Sequence, residues 1–286
     1  MAEASEMFAG LVDTLRKLNA GEVQPVEPRH AATVIMLRDG SDGPEVYLLR
    51  RAASMAFAAG AFVFPGGSVD LRDEDLPDEA WVGRSFAAWA TDLSSDERLA
   101  RALVCAAVRE TFEESGVLLA GADGTTVVAD TSGDDWEADR LALIDRSLSL
   151  AELMGRRGLV VRADLLQPWT HWLTPEVESR RFDTRFFVAA LPEGQRTRDV
   201  GGEADRVAWM RPQAALEGNE RGEMMLMPPT LTSLRDLAEF GSVADVLEAA
   251  GGRTVTRILP KLLFDENDQL KFLLPHEPGY PHEPAR

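Results

Sequence analysis

The chain has 286 residues, 45% of them hydrophobic and 27% charged, with 30 Lys and Arg against 48 Asp and Glu for a net charge of −18. That length and apolar fraction suit a globular protein with one large core or two small ones, and argue against intrinsic disorder. The acidic balance excludes broad binding to nucleic acid or to an anionic membrane, and admits a small anionic ligand only with a cation as go-between.

In chain order, residues 1–28 form an N-terminal segment, in which Glu3, Glu6 and Asp13 interrupt any apolar run, so it does not read as a signal peptide. Residues 30–38 and 45–50 are rich in aliphatic and β-branched side chains around Gly40, Gly43 and Pro44, which predicts a hairpin. A further strand runs into Phe64 and is stopped by Pro65, Gly66 and Gly67. Residues 70–79 hold six acids against one Arg and are read as a solvated loop. From about Ser95 to Ser115 the pattern is helical, with Gly116 as the C-terminal stop. Residues 121–135 read as a loop and 136–156 as one helix. Strands return at 169–173, 182–190 and 206–210, and Pro228-Pro229 opens a helix over 230–240, followed by a short one at 242–250. Segments 254–259 and 270–274 read as a closing strand pair. Interspersed strands, helices and hairpins predict an α/β (α+β) sandwich with a mixed sheet. No run of about eighteen apolar residues predicts a membrane span. The lone Cys105 excludes an intrachain disulfide and points to a reducing, cytoplasmic setting.

The helix over 99–116 carries the chemistry. At 100° per residue, Leu99, Leu103, Ala106 and Ala107 share one arc, and the next residues down that arc are Glu110, Glu113 and Glu114. Val104, Cys105, Val108 and Phe112 form a second apolar stripe, so the helix is expected to be sandwiched, with Cys105 as core packing. Like charges at i,i+3 and i,i+4 repel, and the helix dipole disfavours anions in the last turn by roughly 0.3–1 kcal/mol each. One Arg, Arg109, does not offset three carboxylates. Geometry alone leaves two readings: a solvated acidic helix end, the commoner arrangement, or an oxygen-ligand site for Mg2+, Mn2+ or Ca2+.

The wording of the segment favours the second. Arg109 to Val117 reads R-E-x-x-E-E-x-G-V, which resembles the second half of the Nudix box, G-x5-E-x7-R-E-U-x-E-E-x-G-U, of the Nudix hydrolases. The first half is displaced upstream, where Gly67 and Asp73 stand at the G-x5-E spacing, with Asp in place of Glu. Asp73 and Arg109 are separated by 35 residues, 28 more than an unbroken box has. Entropy permits this, because loop closure costs grow only logarithmically with length. Leu48, Arg51-Ala52, Phe57, Gly60-Ala61 and Phe64 to Gly67 are similar to the stretch preceding the box in coenzyme A diphosphatases, in particular the subgroup with an interrupted box. Leu49 and Ala56 depart from that signature, which has Thr and a second Arg there.

The resemblance implies a Nudix-like α/β/α sandwich over 29–227, with insertions at about 74–97 and 121–158 and an extension over 228–286 packed on the same domain. It implies a Mg2+- or Mn2+-dependent hydrolase cutting the pyrophosphate of a small nucleoside diphosphate derivative, coenzyme A or acyl-CoA first among them. An ADP-ribose or NADH diphosphatase and a non-catalytic metabolite sensor are the alternatives. Glu110, Glu113 and Glu114 are the implied metal ligands, with the Gly66 carbonyl, and Glu110 and Glu113 are catalytic with Arg109, which holds a glutamate in place. Arg51 and Gly67 are candidates for substrate contact, and Glu203 is an additional carboxylate. Arg180, Arg181 and Arg185 are read as local positive charge or surface pairs, and His171 as structural. A lid, a substrate wall or a homodimer contact are the roles open to the inserted segments. The His276-Glu277-Pro278 and His282-Glu283-Pro284 pairs lie among prolines that forbid a zinc-protease helix.

Overall fold

The computed structural model describes residues 2–52, 59–198, 204–267 and 269–281. Its chain clusters into a larger unit, residues 31–170 and 185–255, and a smaller one, residues 1–30, 171–184 and 256–286. In chain order the first elements are α1 (Ala2–Asn19), β1 (Arg29–Gly40), β2 (Gly43–Arg51), β3 (Ala61–Val63) and β4 (Gly66–Ser68). A 3-10 turn at Leu71–Glu74 leads to β5 (Trp81–Val82), α2 (Phe86–Leu93), α3 (Glu97–Ser115) and β6 (Ala120–Gly121). Then come α4 (Asp134–Ile144), α5 (Leu150–Arg157), β7 (Val160–Arg162), β8 (Gln167–Leu173), β9 (Phe182–Ala190) and β10 (Ala204–Met210). The last are α6 (Pro212–Glu220), β11 (Met225–Leu226), α7 (Pro228–Leu237), α8 (Val243–Gly251), β12 (Arg257–Ile258), β13 (Lys261–Phe264) and β14 (Leu270–Leu273).

In the larger unit the main sheet runs β11-β3-β2-β1-β9-β8, with β10 also paired to β2 and β4 to β1. The expected hairpin is present: β1 and β2 are antiparallel and close at Gly40 opposite Gly43, whose φ of 116° only glycine adopts readily. The β3–β11 pair is parallel, so the sheet is mixed. Ala32, Val34 and Met36 of β1 join the core around α3, while Ile35 and Leu37 face the other side and are equally buried. A strand apolar on both faces needs cover on both, and α3 supplies it on the face of Ala32, Val34 and Met36.

The core explains α3. Asp96 caps its start, accepting from the Leu99 N–H at 2.7 Å, and Gly116 ends it at φ 74°. Ala100 and every residue from Ala102 to Val108 are fully buried, so the helix is enclosed on all sides, Cys105 included. Burial pushes the Cys105 thiol well above its usual range. The segment between Asp73 and α3 contributes to the core: Leu76, Trp89 and Leu93 are buried, and Trp89 meets Phe187 edge-on at 5.9 Å.

Four expectations change. Residues 70–79 are not a solvated loop, because Asp70 and Asp73 close a capping box around the 3-10 turn and Asp73 is 2% exposed. The single helix over 136–156 is two, broken where Arg146 takes φ 64° and the Leu148 N–H returns to the Ala142 carbonyl at 3.0 Å. In the smaller unit, the closing pair is β13 with β14, Leu262 opposite Phe272, whereas β12 runs parallel to β8 at Arg257 opposite His171. Arg181 and Arg185 are buried rather than surface groups: Arg181 donates to the Val26 and Thr174 carbonyls, and Arg185 to that of Leu93. Also in the smaller unit, buried His171 pairs with Asp183.

Candidate functional site

Three elements of the larger unit converge. The last two turns of α3 present Arg109, Glu110, Glu113 and Glu114, the 3-10 turn presents Asp73, and β4 presents Gly66, Gly67 and the Ser68 carbonyl. The short strand β4 lies antiparallel to β1, with Gly66 opposite Thr33 and Gly67 opposite Ala32. Side chains do not fit there. A Cβ on Gly66 would come within 2.5 Å of the Ala32 carbonyl oxygen, and one on Gly67 within 2.5 Å of the Glu110 carboxylate. Gly66 therefore lets the backbone of β4 lie close against β1, and Gly67 lets it lie against Glu110 of α3.

Arg109 is the hub. Its Nε and one Nη2 proton hold both oxygens of Asp73, each at 2.9 Å, and the other Nη2 proton reaches the Ser68 carbonyl at 3.0 Å. Nη1 donates to Glu110 at 2.8 Å and to Glu113 at 3.0 Å. All five guanidinium protons are thus engaged within the protein. Glu114 turns the other way and accepts from the Gly66 N–H at 2.7 Å. Asp73, whose role the sequence left open, is the buried anchor that fixes the arginine from across the inserted segment.

Four carboxylates and one guanidinium leave net negative charge in a site almost closed to solvent, with Glu110 and Glu113 side chains 13% and 12% exposed. Desolvation raises the Asp73 carboxyl and outweighs the lowering by Arg109. Desolvation likewise raises Glu113 and pushes Glu110 up to about 7, with each of these two also repelled by another nearby carboxylate. At the C-terminal end of α3 the backbone is tied down from outside. Arg140 donates to the Glu113 carbonyl at 2.6 Å, the Arg198 N–H to the Ser115 carbonyl at 2.9 Å, and the Thr131 hydroxyl to the Gly116 carbonyl at 2.6 Å.

The donor set is oxygen only and anionic, the chemistry of a hard divalent cation. Among the described residues, no three His, Cys, Asp or Glu side chains converge into a ready-made metal site. One oxygen each of Glu110 and Glu113 is turned to Arg109, and one of Glu114 to the Gly66 N–H. Arg51 ends β2 opposite Ala204, half-buried. Glu203, with Ala56 and Phe57, lies outside the described residues. Sequence reading missed the Ser68 carbonyl and Arg140, since nothing local marks a backbone acceptor or an arginine that reaches a helix 27 residues earlier.

Comparison with known proteins identifies the family. A family model described as the NUDT19 Nudix domain matches residues 86–237. The chain is 28% identical over 279 residues to the acyl-coenzyme A diphosphatase NUDT19 of Xenopus laevis, covering 84% of this chain and 72% of that protein. Against the human protein of the same name it is 28% identical over 281 residues, covering 84% and 73%. The crystal structure of a NUDIX hydrolase from Alicyclobacillus acidocaldarius superposes with a TM-score of 0.67 at 28% identity, covering 78% of this chain and 96% of that one. The chain belongs to the NUDT19 Nudix-domain family of the Nudix hydrolases.

Proposed function

We propose that the protein hydrolyses the pyrophosphate linkage of coenzyme A or an acyl-CoA, using Mg2+ or Mn2+ held by Glu110, Glu113, Glu114 and the Gly66 carbonyl. The observation that carries this is the charge count at the end of α3: Arg109 spends every proton on holding Asp73, Glu110, Glu113 and Ser68, and the cluster remains anionic. The names of the diphosphatase relatives support the substrate class. When bound, the cation would neutralise phosphate charge and make water a better nucleophile. The protein's own share is positional. Asp73 holds Arg109, Arg109 holds Glu110 and Glu113, and the Gly66 N–H orients Glu114. Arg109 is in this reading a positioning residue, while Arg51 and Gly67 are proposed to meet the substrate, with Glu203 as the further carboxylate.

No helix among the described residues is long and apolar enough to cross a membrane. A small-molecule substrate without a nucleic-acid or membrane partner, and a cytoplasmic site of action, fit the acidic charge and the lone buried cysteine. The test is incubation of the purified protein with Mg2+ or Mn2+ and a panel of coenzyme A, acyl-CoA, NADH, ADP-ribose and nucleotides. Release of a 4′-phosphopantetheine product from the first two supports the proposal. Preference for ADP-ribose or NADH would replace the substrate class. No turnover of any diphosphate, or wild-type turnover in a Glu113→Gln/Glu114→Gln variant, would sink it.

A further inference from the structure

The inserted region that separates α3 from β7 has a contact with the site helix that the proposed chemistry does not use. Helix α4 carries Arg140, 3% exposed, whose Nη1 donates to the Glu113 carbonyl at 2.6 Å. That carbonyl lies in the last turn of α3, where backbone acceptors lose their helical partners and the helix dipole is negative. Arg140 is held in turn by Glu137, which accepts from its Nε at 2.8 Å and from its Nη2 at 2.6 Å, and which also accepts from Arg198. Arg198 grips the same helix end through its own N–H on the Ser115 carbonyl and reaches the Thr131 carbonyl at 3.1 Å. Helix α4 has anchors besides Arg140. Trp136 meets Phe112 of α3 edge-on at 6.1 Å and carries the Arg157 guanidinium on its ring at 3.7 Å.

We infer that Arg140, aligned by Glu137, is a positioning residue for the metal-binding carboxylates: it fixes the last turn of α3 so that Glu113 and Glu114 keep their direction. This rests on the reading of those two residues as metal ligands. It gives the 121–158 insertion a task, which is to clamp the site helix from behind rather than to cover the substrate. A last turn that loses one of its ties frays more readily, and fraying moves the two glutamates relative to Glu110, one turn earlier.

The test compares wild type, Arg140→Ala and Arg140→Lys by Mn2+ titration, by hydrogen exchange of the amides at 114–117, and by kcat and KM for coenzyme A. For Arg140→Ala the expected result is faster exchange in that turn, Mn2+ affinity lower by roughly 10-fold, as for other groups that orient metal ligands, and kcat reduced with KM changed less than about 2-fold. Arg140→Lys should recover part of each, because an ammonium still reaches the carbonyl. Wild-type exchange in the last turn, together with wild-type Mn2+ affinity and kcat, would overturn the inference. If Arg140→Ala does not fold, Glu137→Gln, which keeps the arginine and loosens its alignment, is read by the same criteria. Should the wild type bind no Mn2+ and cleave no diphosphate, the proposed function falls, and the exchange rates alone decide the positioning role.

Discussion

Two arginine–carboxylate networks meet α3 near its end, and they are built in opposite proportions. At the first, one guanidinium, Arg109, serves three carboxylates. At the second, one carboxylate, Glu137, is served by two guanidinium groups, Arg140 and Arg198. The ionisation differs between them, through burial first and the ratio second. Glu110 is pushed up to about 7 by desolvation against its single partner, whereas the hydrogen bond from Arg140 leads in holding Glu137 down at about 2. The same residue types therefore make an anionic cluster and a cation-rich clamp. A network with cation to spare is sufficient as structure, while one with carboxylate to spare is the kind of cluster in which the proposed cation would be accommodated.

The largest expected effect comes from emptying the first hub. Arg109→Ala strands Asp73, which is 2% exposed, beside Glu110 and Glu113. Removing one partner from a buried ion network costs about 3–5 kcal/mol, so urea denaturation should show a loss of that order, with turnover abolished in the folded fraction. A loss below about 1 kcal/mol, the range of exposed pairs, would show that Arg109 is not the hub. Next is Gly67→Ala, whose Cβ would enter within 2.5 Å of the Glu110 carboxylate and must displace it. A shift of about 1 Å at a catalytic group can cost 100-fold, so kcat/KM should fall by about that factor while secondary structure by circular dichroism stays unchanged. Wild-type turnover would remove Glu110 from the proposed chemistry.

These residues differ sharply in how far the sequence disclosed them. The glutamates of α3 stood out because the helical period is local, every third or fourth residue from Leu99 showing the stripe turning from apolar to acidic, but the resemblance to the Nudix box was what favoured a metal site over a solvated helix end. The β1–β2 hairpin and β9 were legible for the same reason, each a strand pattern ended by its own turn residues. The partnership of Asp73 was not, because it is made with an arginine 36 positions on, and six acids in ten residues look solvated when partners are invisible. The break between α4 and α5 was missed because Arg146, in a left-handed conformation, carries none of the usual glycine signal. The short β12 went astray because the segment 254–259 reads as one strand of a closing pair, yet only Arg257 and Ile258 of it form β12, and they pair with β8.

The comparison also predicts two opposed pH responses in metal-free protein. Glu110 binds its proton more tightly in the folded chain than at its ordinary value of 4.5, so the unfolded state holds fewer protons between pH 4.5 and about 7. Stability should decline across that window by on the order of 1 kcal/mol, and Glu110→Gln should flatten the decline. Glu137 behaves the other way. Its carboxylate is held at about 2, so its contribution is present above pH 4.5 and is lost as pH falls from 4.5 toward 2. Glu137→Gln should remove part of that acid-side loss and leave the neutral window untouched. Melting curves at half-unit pH intervals with a chelator present would separate the two, and a single common window would break the distinction between the hubs.

The smallest effect is expected where the ratio is one to one and water is near. Arg253 and Asp236 meet at 2.6 Å with side chains 35% and 36% exposed, a pair of the kind worth at most about 1 kcal/mol. Its two halves are not equivalent, however. Arg253 also lies over the ring of Trp169 at 4.2 Å, and that indole is fully buried. Asp236→Asn should therefore change the unfolding free energy by less than about 0.5 kcal/mol, since the guanidinium keeps its seat on the ring and its access to water. Arg253→Ala should cost about 1 kcal/mol, because it uncovers the indole as well as removing a charge. Urea denaturation of both variants tests the order. Equal losses would mean that the ion pair, not the stacked ring, holds Arg253, and that exposed one-to-one pairs in this acidic protein matter more than the two hubs suggest.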